Sequence, residues 1–137
     1  MRFWAAIILV LTSPSAIQAA PPEMKSITEF LQQNNSSGNN SDEEFLGLRC
    51  LSLFLVLGEY YSAGKMPDAA KSLKAKSSIA IEFLKNQNSF NEKYVQGQVK
   101  LMIELYAQKI LEAKARTGSF TDDDVMKSDI ATCGEIF

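Results

Sequence analysis

Apolar positions along this chain recur every three or four residues, which is the spacing of an α-helix with one buried face. No stretch shows the alternation of apolar and polar residues that marks a half-buried strand. Capping and turn signals divide the repeating pattern into five helical stretches that begin near Pro22, Ser41, Pro67, Ser89 and Thr121. The pattern therefore predicts an all-α protein, a small four- to five-helix bundle.

The predicted boundaries come from residues that favour helix ends. Two capping boxes, Ser41-x-x-Glu44 and Ser89-x-x-Glu92, predict the starts of the second and fourth helices. Pro67 suits the first turn of the third helix, where its missing N–H costs nothing. Glycines at positions 64 and 118 are expected to end the second and fourth helices. Thr121, with the three aspartates that follow it, is expected to cap the last helix.

The second helix contains the most apolar segment outside the N-terminus. Its middle, from Leu51 to Leu57, is apolar on nearly every side. A helix of this kind is central in a bundle or buried against a partner. Gly47 and Gly58 lie about three turns apart and share one face, so we expect another helix to approach closely there.

The apolar girdle of the second helix is wider than one stripe, and a small bundle need not cover all of it. We expect the uncovered part to bind another protein or a second copy of this chain. Leu53, Leu57, Tyr60 and Tyr61 are the predicted protein-interface residues, because burying one large apolar side chain contributes about 1.5–3 kcal/mol. The alternative is that the first helix folds back and covers this face.

Residues 1–19 have the three parts of a secretory signal peptide. Arg2 precedes an apolar run from Phe3 to Leu11, and small residues follow the break at Pro14. This run is far shorter than the roughly twenty residues that a membrane-spanning helix needs, so we expect cleavage after position 19 rather than an anchor.

Behind the predicted cleavage point, residues 20–41 form a short helix and a flexible polar linker, and residues 42–137 form the helical bundle domain. No second long apolar segment follows the predicted signal peptide, so we do not expect stable insertion into a membrane. The mature protein is therefore expected to be periplasmic or secreted.

Export changes how the two cysteines are interpreted, since disulfides persist in oxidising compartments. A bridge between Cys50 and Cys133 would close a loop of 83 residues and contribute on the order of 4 kcal/mol. The alternatives are two buried thiols or a redox pair, although redox pairs usually occur as Cys-x-x-Cys. We predict the structural disulfide.

Composition excludes several classes of function. The 14 basic and 16 acidic residues give a net charge of −2, which lacks the basic excess of a nucleic-acid binder. The absence of histidine removes Ser-His and Cys-His catalysis and imidazole metal sites. Asp122–Asp124 and Asp129 could suggest a cation site, but the calcium-loop spacing is missing and acidic residues are favoured in a first helical turn. We predict no catalytic residue, no metal and no cofactor.

By elimination, the sequence favours a binding function. We expect an exported, non-enzymatic helical protein that binds another envelope protein, as a chaperone, inhibitor or immunity protein does. The alternative is a dimeric structural or assembly component that self-associates through the second helix. A small-ligand carrier that uses the bundle interior is a less favoured third possibility.

Overall fold

The computed structural model describes residues 23–33 and 40–137, with side chains from residue 42 onward in the second range. Within these residues the chain is all-helical and has no strand, which confirms the predicted fold class. The helices are α1 (Ile27–Gln33), α2 (Asn40–Ala63), α3 (Pro67–Lys85), α4 (Glu92–Thr117) and α5 (Asp124–Ile136), with a 3₁₀ turn at Phe120–Asp122. The predicted signal peptide and most of the polar linker lie outside the described residues.

α2 is the central helix, because each of the other four described α-helices packs against it. α3 and α4 flank α2, yet no Cα of α3 comes within 8 Å of a Cα of α4. α5 packs against α1 and the 3₁₀ turn, and it also contacts α2 and α4. The opposite face of α2 has no helix of the described chain above it.

α3 approaches α2 most closely at Gly47. A methyl group there would lie 2.7 Å from Leu84 Cδ2 and 3.0 Å from Phe83 Cδ1, so only glycine fits without a shift of these neighbours. At Gly58, a methyl carbon would be in ordinary contact, 3.9 Å from Leu73 Cβ. The predicted helix crossing on this face is confirmed, and its tight point is Gly47.

Some predicted helix ends are confirmed and one is displaced. α3 begins at Pro67, and Gly118 ends α4 with a φ of 84°, in the left-handed region that favours glycine. α2 ends differently, because the left-handed residue is Lys65 with a φ of 58° and not Gly64. The N–H groups of Lys65 and Met66 bond to the carbonyls of Ser62 and Tyr61, which makes Lys65 the C′ residue.

One predicted helix cap is wrong, and another is assigned to one residue of the predicted group. The cap of α4 is Asn91, whose Oδ1 accepts the Tyr94 N–H at 3.0 Å, while the Ser89 hydroxyl donates to Glu44. The cap of α5 is Asp123, whose Oδ1 accepts the Met126 N–H at 3.0 Å. In each case several capping-type residues stand side by side, and only the backbone conformation decides which one caps.

α2 is the one described helix that is long and apolar enough, by length and composition alone, to cross a membrane. More than half of that span is buried inside the protein, as is usual for the central helix of a folded domain. Its buried side chains form the middle of a single core that extends into all the other described helices.

Candidate binding groove and buried polar cluster

An apolar groove follows α2 on the face that no described helix covers. Its floor is centred on Leu55, whose side chain is 37% exposed. The α4 side is built by Ile103, Ala107 and Leu111, and the α3 side includes Ile81. Two hollows of about 560 and 430 Å³ meet at Leu55, so the groove continues along the helix.

The groove exists because α4 carries two apolar stripes. One stripe, which includes Val99, Tyr106 and Ile110, is buried against the core as the sequence predicts. The other consists of Ile103, Ala107 and Leu111, four residues apart, and runs along one face of the helix. This second stripe has no helix to pack against, because α3 stays on the far side of α2, and Leu111 remains 70% exposed.

On the covered side of α2, three polar side chains form a buried cluster. Asp129 and Tyr106 are fully buried, and Arg49 is 6% exposed. The Arg49 guanidinium forms an ion pair with Asp129 Oδ2 and donates to Tyr106 Oη at 2.9 Å. The Tyr106 hydroxyl donates to the same carboxylate oxygen. These bonds connect α2, α4 and α5 inside the core.

The cluster also connects to the segment around α1. The Ile27 N–H donates to Asp129 Oδ1 at 2.8 Å, and Arg49 Nη2 donates to the Lys25 carbonyl at 2.9 Å. The start of α1 is a capping box, in which Ser26 and Glu29 each accept the other's backbone N–H. Asp129 thus supplies an acceptor for a first-turn N–H that the helix itself cannot satisfy.

Every buried polar side-chain atom among the described residues has a hydrogen-bond partner. Desolvation by burial raises the pKa of the Tyr106 phenol well above its ordinary value, with the Arg49 charge opposing and the Asp129 charge adding to the rise. Tyr106 is therefore held as a neutral donor. The arrangement is closed to solvent and internally satisfied, which fits a structural clamp.

The disulfide lies directly beside this cluster. Cys50 and Cys133 are bonded, with their Cα atoms 5.4 Å apart, which confirms the predicted bridge. Cys50 follows Arg49 in α2, and Cys133 lies one turn beyond Asp129 in α5. A covalent and an ionic connection therefore hold α5 on α2 at neighbouring points.

Two of the four predicted interface residues are buried in the core, one packs against Phe120, and one lines the groove. Leu53 is 0% exposed and Leu57 is 4% exposed, so neither side chain is accessible in the described fold. Tyr61 is half-buried and its ring packs edge-on against Phe120. Tyr60 is also half-buried and lines the groove. Of the four predicted residues, only Tyr60 lies where an apolar partner could reach α2 through the groove.

Two of the four acidic residues considered as a cation site, Asp123 and Asp129, have partners within the protein, while Asp122 and Asp124 are exposed. Asp123 caps α5 and lies within 3.5 Å of Lys109 Nζ and 3.6 Å of Arg116 Nη2. Asp129 belongs to the buried cluster, away from Asp123. In the described part of the chain, no group of three or more Cys, Asp and Glu side chains is arranged to hold a metal ion.

Comparison of the chain with protein-family models, with curated proteins and with solved structures found no match. The groove and the chemistry of its edges are therefore the features that bear on function.

Sequence reasoning predicted an uncovered apolar face on the second helix, but it missed the polar cluster and the residues of α4 that form the side of the groove. Each of these has a signal in the sequence. Arg49 is the one charged residue between Gly47 and Gly58 of the most apolar helix, where an unpaired charge would be costly. The groove is signalled by the second stripe of α4, since Ile103, Ala107 and Leu111 repeat at four-residue spacing beside the stripe that was predicted to be buried.

Proposed function

We propose that this protein is an exported, non-enzymatic binding protein that holds a segment of another envelope protein in the groove over Leu55. The observation that carries the proposal is the open face of α2, because a helix laid there would contact α2, α3 and α4 at once. A fourth helix in this position would complete the packing of an ordinary four-helix bundle. The groove is apolar on its floor and on both sides, which is what a buried contact requires.

Export is supported by the signal-peptide pattern of residues 1–19 and by the disulfide, which suits an oxidising compartment. The proposal of a non-enzymatic protein is supported by the lack of histidine and by the closed polar cluster. Burial raises the pKa of Tyr106 in this cluster, but its side chain is fully buried and cannot reach a substrate. Terminal sequencing of the exported protein should find Ala20 or a close neighbour as its first residue, and an intact Met1 would contradict export.

Site-specific photo-crosslinking tests the groove. A photoreactive residue placed at Leu55 or Leu111 should yield a heavier adduct in cells, because both positions face the groove. The matched control is Ile79, which is 53% exposed but lies about 200° around α3 from the groove residue Ile81. A label at Ile79 should give no adduct.

The mass of the adduct separates the candidate functions. A crosslinked heterologous protein supports the proposal, whereas an adduct of twice the chain mass supports self-association and the assembly alternative. A small bound mass seen by native mass spectrometry, without a protein adduct, would favour a ligand carrier. Equal labelling from all three positions, or from none, would contradict a specific role for the groove.

A further inference from the structure

The edges of the groove carry more lysine than acid, and this excess bears on what the groove binds. We propose that its occupant is an amphipathic helix of another protein, with an apolar stripe that lies on Leu55 and acidic residues along both sides of that stripe. This inference rests on the proposed function, because it specifies the partner of the same groove.

The basic residues stand on both sides. On α3, Lys85 lines the groove, and Lys74 lines a smaller neighbouring hollow that also reaches Leu55. On α4, Lys93, Lys100 and Lys114 are each a multiple of seven residues from Ala107, which lines the groove, so they share its strip of the helix. Among the ion pairs of the described residues, none involves Lys74, Lys93 or Lys100.

Acidic residues are fewer in the same region. Glu59 and Glu92 line the groove, and Glu104 stands next to Ile103 on α4. Lys85 lies 3.3 Å from Glu82, and Lys114 Nζ is 5.0 Å from the centre of the Tyr60 ring. Lys74, Lys93, Lys100 and Lys114 have no ion pair among the described residues, so they outnumber the three glutamates at the groove and leave a basic excess at its edges.

This charge pattern favours an acidic occupant over a second copy of the chain. A symmetric dimer would place the same basic edges against each other, and like charges across an interface are unfavourable. Glutamates placed beside an apolar stripe would instead face lysines on both sides. Such contacts raise the association rate and select the partner, while the apolar floor supplies most of the affinity.

The dimensions indicate a helical occupant. The floor runs along α2 from Leu51 to Tyr60, about 14 Å at 1.5 Å per residue, which matches two to three turns of a guest helix. The walls are helices, so the groove offers no strand edge to which an extended peptide could add. Apolar residues at positions i, i+4 and i+7 of the guest would lie along the floor.

The test uses three synthetic 18-residue helical peptides that share one leucine stripe and differ only at the flanking positions, which are all Glu, all Gln or all Lys. Binding to the oxidised mature protein is measured by fluorescence anisotropy at low and at physiological salt. We expect the Glu peptide to bind at least fivefold more tightly than the Lys peptide at low salt. The difference should shrink as salt rises.

Charge-reversal variants assign the effect to the groove. The double variant Lys74→Glu/Lys100→Glu should reverse the preference, so that the Lys peptide binds more tightly than the Glu peptide. The matched control is Lys127→Glu, which changes one exposed lysine of α5 away from the groove and should leave the preference intact. Circular dichroism of each variant confirms that the fold is retained.

The remaining outcomes separate this inference from the proposed function. If all three peptides bind equally and Leu55→Glu abolishes their binding, the groove binds helices and the acidic preference is wrong. If no peptide binds and crosslinking at Leu55 also fails, both proposals are wrong. Binding of the protein to vesicles with 30% anionic lipid that is lost in Leu55→Glu, or a dimer in light scattering that the same variant dissociates, would overturn the helical partner.

Discussion

The two faces of α2 are built from the same kinds of apolar residue and have opposite surroundings. On one face, Arg49 and Cys50 are buried and are joined to α5 by a polar cluster and a disulfide, and Leu53, one turn beyond Arg49, is fully buried. On the other face, Leu55 lies at the floor of an open groove. The difference shows that hydrophobicity places a helix in the centre of a protein, while the specific connections of its neighbours decide which face they cover.

The covered face is fixed by interactions that cannot be exchanged for ordinary apolar contacts. A buried charge must be paired, and the pairing of Arg49 with Asp129 commits α5 to one position on α2. The disulfide adds a covalent restraint a single residue away. With α5 held in place, the short α1 docks onto it through Asp129, and no further described helix remains to cover the groove.

Asp129→Ala should have the largest effect on stability, because it breaks the connections on the covered face of α2. The substitution leaves Arg49 as an unpaired buried charge and removes the acceptor of the Ile27 N–H, so the free energy of unfolding should fall by as much as about 5 kcal/mol. Urea denaturation measures the change. The matched control is Asp124→Ala in the first turn of the same helix, where the residue is exposed and the loss should stay below about 1 kcal/mol. Similar losses in both variants would contradict the clamp.

Reduction of the disulfide should destabilise the protein by about 4 kcal/mol, because the bridge closes a long loop in the unfolded chain. The measurement is urea denaturation with and without dithiothreitol. A Cys50→Ser/Cys133→Ser chain is the control, since its stability should not respond to the reductant. An unchanged midpoint for the reduced wild-type protein would show that the polar cluster alone holds α5 in place.

The same substitution on the two faces of α2 should have unequal costs. Leu53→Ala opens a cavity in the core and should lower the free energy of unfolding by about 3 kcal/mol. Leu55→Ala removes a side chain that is already partly in water and should cost less than about 1 kcal/mol. If Leu55→Ala proves as costly as Leu53→Ala, the groove is filled in solution by part of this chain or by a second copy.

High pH should lower the free energy of unfolding, because Tyr106 is buried on the covered face of α2. Its pKa is raised in the folded state by burial, so above about pH 10 the unfolded chain loses a phenol proton that the folded chain keeps. Stability should therefore be fully present below pH 10 and fall by up to about 1.4 kcal/mol per pH unit above it, until the folded pKa is reached. Comparing Tyr106→Phe with the wild type by urea denaturation between pH 9 and 11 isolates this slope, which the variant should lack.

The smallest effects test the contact between α2 and α3. Gly47→Ala forces a methyl group against Leu84 and Phe83 and should cost about 1–2 kcal/mol, even after the gain in helix propensity. Gly97→Ala in α4 has no neighbour within 4 Å and should instead stabilise the protein by up to about 1 kcal/mol. Thermal melts measure both variants, and a stabilised Gly47→Ala protein would contradict the tight crossing.

Much of the fold could be predicted because it depends on local patterns. The period of apolar residues indicates the helices, Pro67 and Gly118 mark two of their ends, and the pair of cysteines allows only one bridge. The cap of α4 is Asn91 and not the predicted Ser89, and the cap of α5 is only one of four predicted residues, because neighbouring residues have the same capping chemistry. Local sequence does not distinguish residues that differ only in backbone conformation.

The candidate site depends on relations between helices, which periodicity does not contain. Leu53 and Leu55 are two residues apart in one apolar run, and nothing in that run indicates which of them is buried. Leu53 was predicted as an interface residue and is fully buried, whereas Leu55 was not singled out and is exposed. A helical period reports that a residue is on a face, and it does not report what packs there.

By itself, the sequence determined the helical class and the identity of the disulfide partners, because these follow from apolar period and from a single possible pairing. It left α2 either central in the bundle or buried against a partner, and the packing of the other helices decided that it is central. Only the tertiary structure decided that Arg49 and Asp129 meet in the core, 80 residues apart in the chain, and that α3 and α4 separate to leave Leu55 open. The physical reason is that burial is a property of the whole packing arrangement. The polar cluster and the disulfide select one arrangement among several that the same apolar stripes would permit.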